Sequence, residues 1–312
     1  MPDVVLTPEE LTARTTVATE AAFNAATDLG LLVEETRVLH DAFSLVLHLH
    51  PSPVVVRIPL VLPPGTTPEA LVLRQRRELD VADWLAREGV PAVRPSPLVP
   101  LDPVREDDFT MTFWELVDVA EDHEPYAAAD HAVCAALHAA LAAYPGVLPF
   151  LSPFNEGLPA MMEALEGSPH LTDDDLDRAH AEWHALQPVL SSAKAFRERF
   201  PEADLQPIQG DAPSHNVIRS TKGLVFGDFE DVCLGPVEWD LAGHGPEAAA
   251  AYDEAAGPLG MRTIDPDVQR VMDAARSLQA VASFSLVPQL PVLEQGLQLP
   301  LRAWRESPPL VL

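Results

Sequence analysis

Two kinds of sequence meet near residue 118, and this change constrains the fold more than any other feature. Upstream, runs rich in β-branched and aromatic residues alternate with short turns, whereas downstream alanine-rich helical sequence dominates. Such a chain has to pack a small sheet beside a larger helical body. Thr7-Pro-Glu-Glu, a threonine cap followed by early acids, predicts a helix running to about Leu31. A strand is expected over 33–40. The β-rich runs 44–50 and 54–58 flank Pro51-Ser-Pro53 and read as a hairpin. A helix is expected over 69–88 and another strand over 109–117, followed by an acidic stretch at 118–124 that serves as the hinge. Beyond it, helices are expected at 126–143, 158–167 and 173–199, then a second hairpin over 216–229, then helices to the end. The expected units are 1–117 and 118–312.

Lys and Arg number 20 against 48 Asp and Glu, a formal charge of −28. That balance excludes a basic face for nucleic acid and anchoring on an anionic membrane. A hydrophobic content of 47% excludes a disordered chain. Cys134 and Cys233 form no disulfide framework and have no metal-ligand spacing. Met1-Pro-Asp-Val-Val has no basic stretch leading into an apolar run, so no secretory leader is expected. Pro288 and Pro291 interrupt the longest uncharged stretch near the C-terminus, so no spanning helix is expected. A soluble cytoplasmic protein is the expectation.

The chemistry concentrates in Gln209-Gly-Asp-Ala-Pro-Ser-His-Asn216 and Leu224-Val-Phe-Gly-Asp-Phe-Glu230. Antiparallel pairing about Lys222 would set Asn216 opposite Asp228, with Cβ atoms roughly 5 Å apart. Asp211, in the loop feeding this hairpin, would join them. An amide oxygen and a carboxylate suit a hard divalent cation. A neighbouring carboxylate suits acceptance of a hydroxyl proton. The alternative is that Asp211 and Asn216 only cap loops. In the β-rich part, alternation sets Arg57 opposite in face to Val56 and Ile58. Glu78 shares a helix face with Leu71, Val81, Ala82 and Leu85, and a buried glutamate needs a cation. Arg57 is the candidate, and a helix-surface pair with Arg74 is the alternative.

Gly-Asp-x-x-x-x-Asn, an apolar hairpin, Asp-Phe and then Trp239-Asp-Leu-Ala242 resemble the aminoglycoside phosphotransferase family over roughly residues 30–285. The resemblance implies an α+β, protein-kinase-like bilobal fold. Its N-lobe would be a small antiparallel sheet with one key helix, and its C-lobe larger and mostly helical. It implies an ATP- and Mg²⁺-dependent transfer of the γ-phosphoryl group to a hydroxyl of a small molecule, such as an aminoglycoside or a similar compound. Asp211 matches the catalytic aspartate, Asn216 and Asp228 the metal ligands, and Asp240 a structural aspartate supporting the catalytic loop. Arg57 stands where the family has its phosphate-binding cation, paired with Glu78. The backbone from Glu115 to Val117 stands where adenine is held. Some positions depart from the pattern. Gln209 replaces the usual histidine, and His40-Asp-Ala-Phe-Ser44 replaces a glycine-rich loop, with Ser44 as a phosphate donor. These departures motivate a second reading, a catalytically inactive nucleotide-binding module. The acceptor would sit near 152–175 and the helices after 244. Asn155, Glu156, Glu163, Glu166, Asp253, Glu254 and Asp273 are the polar candidates there. His131, His138, His215 and the tryptophans Trp183, Trp239 and Trp304 read as packing, capping or surface residues.

Overall fold

The computed structural model describes residues 5–125 and 127–310. Met1 to Val4, where no leader is expected, lie outside this range, as does Tyr126 in the expected helix 126–143. Helix α1 (Pro8–Asp28) begins at a capping box in which Thr7 and Glu10 satisfy each other's backbone amides. Strands β1 (Val33–Asp41), β2 (Ser44–Pro51) and β3 (Val54–Pro59) follow, then helix α2 (Pro68–Arg87), β4 (Val104–Glu106) and β5 (Phe109–Glu115). The five strands form one sheet in the order β1-β2-β3-β5-β4, with every pairing antiparallel.

Side-chain alternation gives the sheet two working faces. Leu45, Leu47, Leu49, Val54, Val56 and Ile58 are buried beneath the alanine stripe Ala18, Ala21, Ala22, Ala25 and Ala26 of α1. Small alanines let the helix lie close to the sheet, and each large apolar side chain so buried contributes about 1.5–3 kcal/mol. The opposite face presents Val46, Val55 and Arg57 toward α2 and the rest of the chain. The face expected for Arg57 is the face observed.

The larger part is helical: α3 (Ala132–Leu141), a π-helical turn (Pro153–Gly157), α4 (Leu158–Ala164), α5 (Asp173–Leu190) and α6 (Ala193–Arg199). The expected helix over 173–199 is two helices, because Ser192 caps a new one through Ala195 N–H. Short strands β6 (Gln206–Ile208), β7 (Val217–Ser220), β8 (Gly223–Phe226) and β9 (Cys233–Gly235) frame the stretch from Gln209 to Glu230. Helices α7 (Gly245–Ala256), α8 (Pro266–Ala282), α9 (Leu293–Gly296) and α10 (Gln298–Glu306) complete the chain. Trp239, Tyr252, Phe154 and Phe196 are fully buried in this part. Among the described residues, no helix is long and apolar enough to cross a membrane.

Gln289 and its neighbours bracket the two parts at one edge. The Gln289 amide donates to Leu62 O at 2.8 Å and accepts from Leu62 N–H at 3.2 Å. Arg14 donates to Gln289 O at 3.1 Å, and Leu6 N–H to Pro288 O at 2.9 Å.

Candidate active site

The expected register of the β7–β8 hairpin is corrected by one residue. Val217 faces Phe226 and Ser220 faces Gly223, so the turn has two central residues, Thr221 and Lys222. Asn216 therefore lies opposite Gly227, whose N–H donates to Asn216 O at 2.8 Å. Asp228 follows one step later with φ +57°, and this left-handed turn swings it toward the sheet. The Asn216 amide donates to Asp211 Oδ2 at 3.0 Å, which leaves the Asn216 oxygen available to a cation.

Asp240 organises the loop. Its carboxylate is buried and accepts from Gln209 N–H and Gly210 N–H, both at 2.9 Å. His138 Nε2 meets it at 2.9 Å, and His138 Nδ1 faces the Tyr252 hydroxyl at 3.3 Å. Trp239 Nε1 donates to Gly210 O at 2.7 Å. Gly210 has φ +90°, and a Cβ there would collide with the Asp231 carbonyl, so only glycine fits. Gln209, where the resemblance expects histidine, donates to Gly227 O and Asp228 O at 3.0 and 2.9 Å. The amide thus ties the loop 209–216 to the strand end carrying Asp228.

On the sheet side, Arg57 Nη1 meets Glu78 Oε1 at 3.1 Å, which decides between the two expected partners of Glu78. Arg57 Nη2 also reaches Asp228 at 3.1 Å and Glu230 at 3.0 Å. Arg74 instead holds Glu230 at 3.2 Å and Asp231 at 2.7 Å. Burial pushes the Glu78 carboxyl up to about 8 against the pull of Arg57. Burial also raises Asp228, to about 7, with Arg57 opposing and Glu230, Asp211 and Asp231 adding to the rise. Asp228 keeps 40% of its side chain exposed, so water screens part of that crowding. A cation beside Asp228 would relieve it. With Asn216 and Asp228 the donors are hard oxygens, which fit Mg²⁺ with phosphate oxygens and water completing its shell. Among the described residues, no three His, Cys, Asp or Glu side chains converge tightly enough to hold a metal by themselves.

A cavity of about 260 Å³ opens between the sheet and this cluster. Leu39, Val46, Val55, Trp114 and Ile218 supply apolar walls, with Arg57 and Asp228 at its polar end. Glu115, Leu116 and Val117 also line it. Glu115 N–H donates to Arg94 O at 2.8 Å and Leu116 N–H to Pro53 O at 3.1 Å. Ser44 lies outside the lining: it opens β2, is buried, and faces Pro59 across the ladder.

Sequence reasoning missed Arg276, which comes from α8. Its guanidinium lies 4.5 Å over the Trp239 ring and 3.5 Å from Asp211 Oδ1, and donates to Asp211 O at 3.2 Å. It also missed Glu230, Asp231 and Arg74, and the role of His138. Of the acceptor candidates, Asn155 is spent on backbone carbonyls of Phe150, Leu151 and Leu190. Asp253 accepts from Ile264 N–H, and Asp273 from Gly243 N–H. His215 stacks on His244 with ring centroids 5.0 Å apart, and His131 meets His244 tilted at 4.8 Å.

Solved structures share this architecture. The GDP and kanamycin complex of APH(2")-IIia aligns with a TM-score of 0.58 at 14% identity, covering 93% of this chain and 97% of that one. A microcompartment-associated aminopropanol kinase aligns with a TM-score of 0.58 at 14% identity, covering 90% and 92%. The choline kinase LicA from Streptococcus pneumoniae aligns with a TM-score of 0.57 at 14% identity, covering 90% and 99%. The fold is protein-kinase-like. A comparison with curated protein sequences finds no match. The model of the phosphotransferase enzyme family matches residues 37–292, most of the length, and the chain belongs to that family as a small-molecule phosphotransferase.

Proposed function

We propose that the protein transfers the γ-phosphoryl group of ATP to a hydroxyl of a small molecule. The observation that carries this reading is the meeting of Asp211, Asn216 and Asp228 at one end of a hairpin, with Arg57 held against Asp228. Residues 1–117 supply the nucleotide side and 118–312 the catalytic loop and the acceptor side. The adenine lies in the apolar cavity against the backbone of Glu115 to Val117. Arg57, steadied by Glu78, turns toward the α- and β-phosphates. Asn216 and Asp228 would hold Mg²⁺, which would neutralise charge at the phosphate oxygens.

Asp211 accepts the proton as the acceptor O–H bond breaks and the new O–P bond forms. The bond from the γ-phosphorus to its bridging oxygen breaks, and ADP leaves with the electron pair. Little else is required, because phosphoryl transfer depends chiefly on positioning and electrostatics. Gln209 speaks against the inactive module, since its amide fastens the loop to Asp228 rather than leaving a gap. Asp211→Ala should lower turnover by about a thousandfold or more while MgATP still raises the melting temperature. Full turnover in that variant would remove the assignment.

A further inference from the structure

A carboxylate that accepts a proton in phosphoryl transfer has to present one oxygen to the acceptor hydroxyl, so what holds Asp211 bears on the reaction. Its two oxygens have different neighbours. Oδ2 accepts from the Asn216 amide at 3.0 Å. Oδ1 faces Arg276 Nη1 at 3.5 Å, longer than an ordinary N–H···O bond. Oδ2 is therefore taken, while Oδ1 is oriented and left open. Asp211 keeps 46% of its side chain exposed, so packing alone does not fix its rotamer.

Arg276 is itself held from several sides. The Trp239 ring lies 4.5 Å from its guanidinium. Nη2 donates to the carbonyls of Gly210, Asp211 and Trp239 at 3.4, 3.2 and 3.3 Å. Nη1 donates to Gln279 Oε1 at 3.0 Å, three residues further along α8. Gln279 thus takes the shorter bond from Nη1 and keeps that nitrogen from closing on Asp211. Only a planar fork can serve these acceptors together, and an ammonium group, with its single nitrogen, cannot copy it. Arg276 keeps 20% of its side chain exposed and Asp211 more than twice that, so water screens their attraction. Orientation is then the larger effect. The contacts converge on the loop that carries Asp211 and on Trp239, the residue before the buried Asp240, so α8 and the loop are fixed to one another at the point where the proton is received.

We propose, resting on the phosphotransfer reading above, that Arg276 is a positioning residue: it fixes Asp211 so that Oδ1 receives the acceptor proton, and Gln279 keeps Oδ1 free to do so. The acceptor O–H bond breaks and its proton passes to Oδ1. The oxygen bonds to the γ-phosphorus, and ADP leaves with the electron pair of the bond to the bridging oxygen. A residue that only propped up the loop would act on folding and nucleotide binding alike, whereas a positioning residue acts on the transfer step. The probes are MgATP with water as the acceptor, read as ADP release, and MgADP with aluminium fluoride, which mimics the phosphoryl group in transfer to an in-line water. Binding is read by calorimetry on the full chain. In the wild type, aluminium fluoride should tighten MgADP about tenfold or more. Arg276→Met keeps an apolar stem against Trp239 and removes the donors. It should bind MgADP within about twofold of wild type and lose the tightening, with kcat about a hundredfold lower and KM for ATP within about twofold. Arg276→Lys restores the charge without the fork and should recover only about tenfold of that loss in kcat. Gln279→Leu leaves Arg276 in place but frees Nη1 to close on Oδ1, and should lower kcat about tenfold. If Arg276→Met fails to fold, Arg276→Lys and Gln279→Leu carry the same test. Wild-type kcat in any of the three variants overturns the proposal, as does a loss of MgADP affinity that matches the loss of kcat. A wild-type chain that binds MgADP but neither tightens with aluminium fluoride nor releases ADP from MgATP instead overturns the phosphotransfer reading itself.

Discussion

Around Arg57, two arginines face four carboxylates: Glu78 and Asp228 on Arg57 alone, Glu230 on both, and Asp231 on Arg74. Around Gly210 the arrangement is the reverse, with one buried carboxylate, Asp240, collecting two backbone amides and a histidine. The first region is an ion cluster with excess negative charge, two arginines shared among four carboxylates. The second is a fixed hub whose partners are two backbone amides and the buried His138 ring, so it cannot yield without disturbing the loop. The cluster around Arg57 is thus held by shared charges, and the loop around Gly210 by hydrogen bonds to one buried carboxylate.

Removing the hub should have the largest effect. Asp240→Ala leaves the amides of Gln209 and Gly210 buried without an acceptor, at about 1–3 kcal/mol each. A loss of about 3 kcal/mol in urea unfolding is expected, together with loss of phosphotransfer. If the variant keeps wild-type stability, the contrast between hub and cluster fails.

The cluster should show itself through pH. Glu78 has a folded value of about 8, above its ordinary 4.5, so the folded state holds a proton that the unfolded chain releases. Its contribution to stability is fully present below about 4.5 and is lost as pH rises toward 8. Glu78→Gln removes this titration. Between about pH 5 and pH 8, without divalent metal, wild-type stability should fall more than that of the variant, by on the order of 1–2 kcal/mol. Equal slopes would mean that Arg57 keeps Glu78 ionised throughout.

The same contrast explains what could be read from the sequence. Arg57 and Glu78 were legible because strand alternation and helix periodicity fix faces locally. Asp211, Asn216, Asp228 and Asp240 were legible as a spaced pattern in one stretch of chain. The hairpin register was not, since one residue more or less in the turn shifts every opposed pair. Arg276 reaches Asp211 across 65 positions, Arg74 reaches Asp231 across 157, and His138 reaches Asp240 across 102. No periodicity carries such pairings, and a charged residue on a helix reads by default as solvated. Ser44 was set beside the phosphates by the family resemblance alone; it opens the expected β-rich run, and the strand buries it opposite Pro59.

The smallest expected effect lies at the bracket between the two parts. Gln289→Ala removes the paired hydrogen bonds to Leu62 but leaves the Arg14 contact to Gln289 O and the Leu6 contact to Pro288 O, both made by backbone acceptors. Two neutral hydrogen bonds in a part-buried place contribute about 1 kcal/mol net, and water can replace part of that. Hydrogen exchange at the Leu62 amide should therefore rise severalfold, with global stability lower by about 1 kcal/mol.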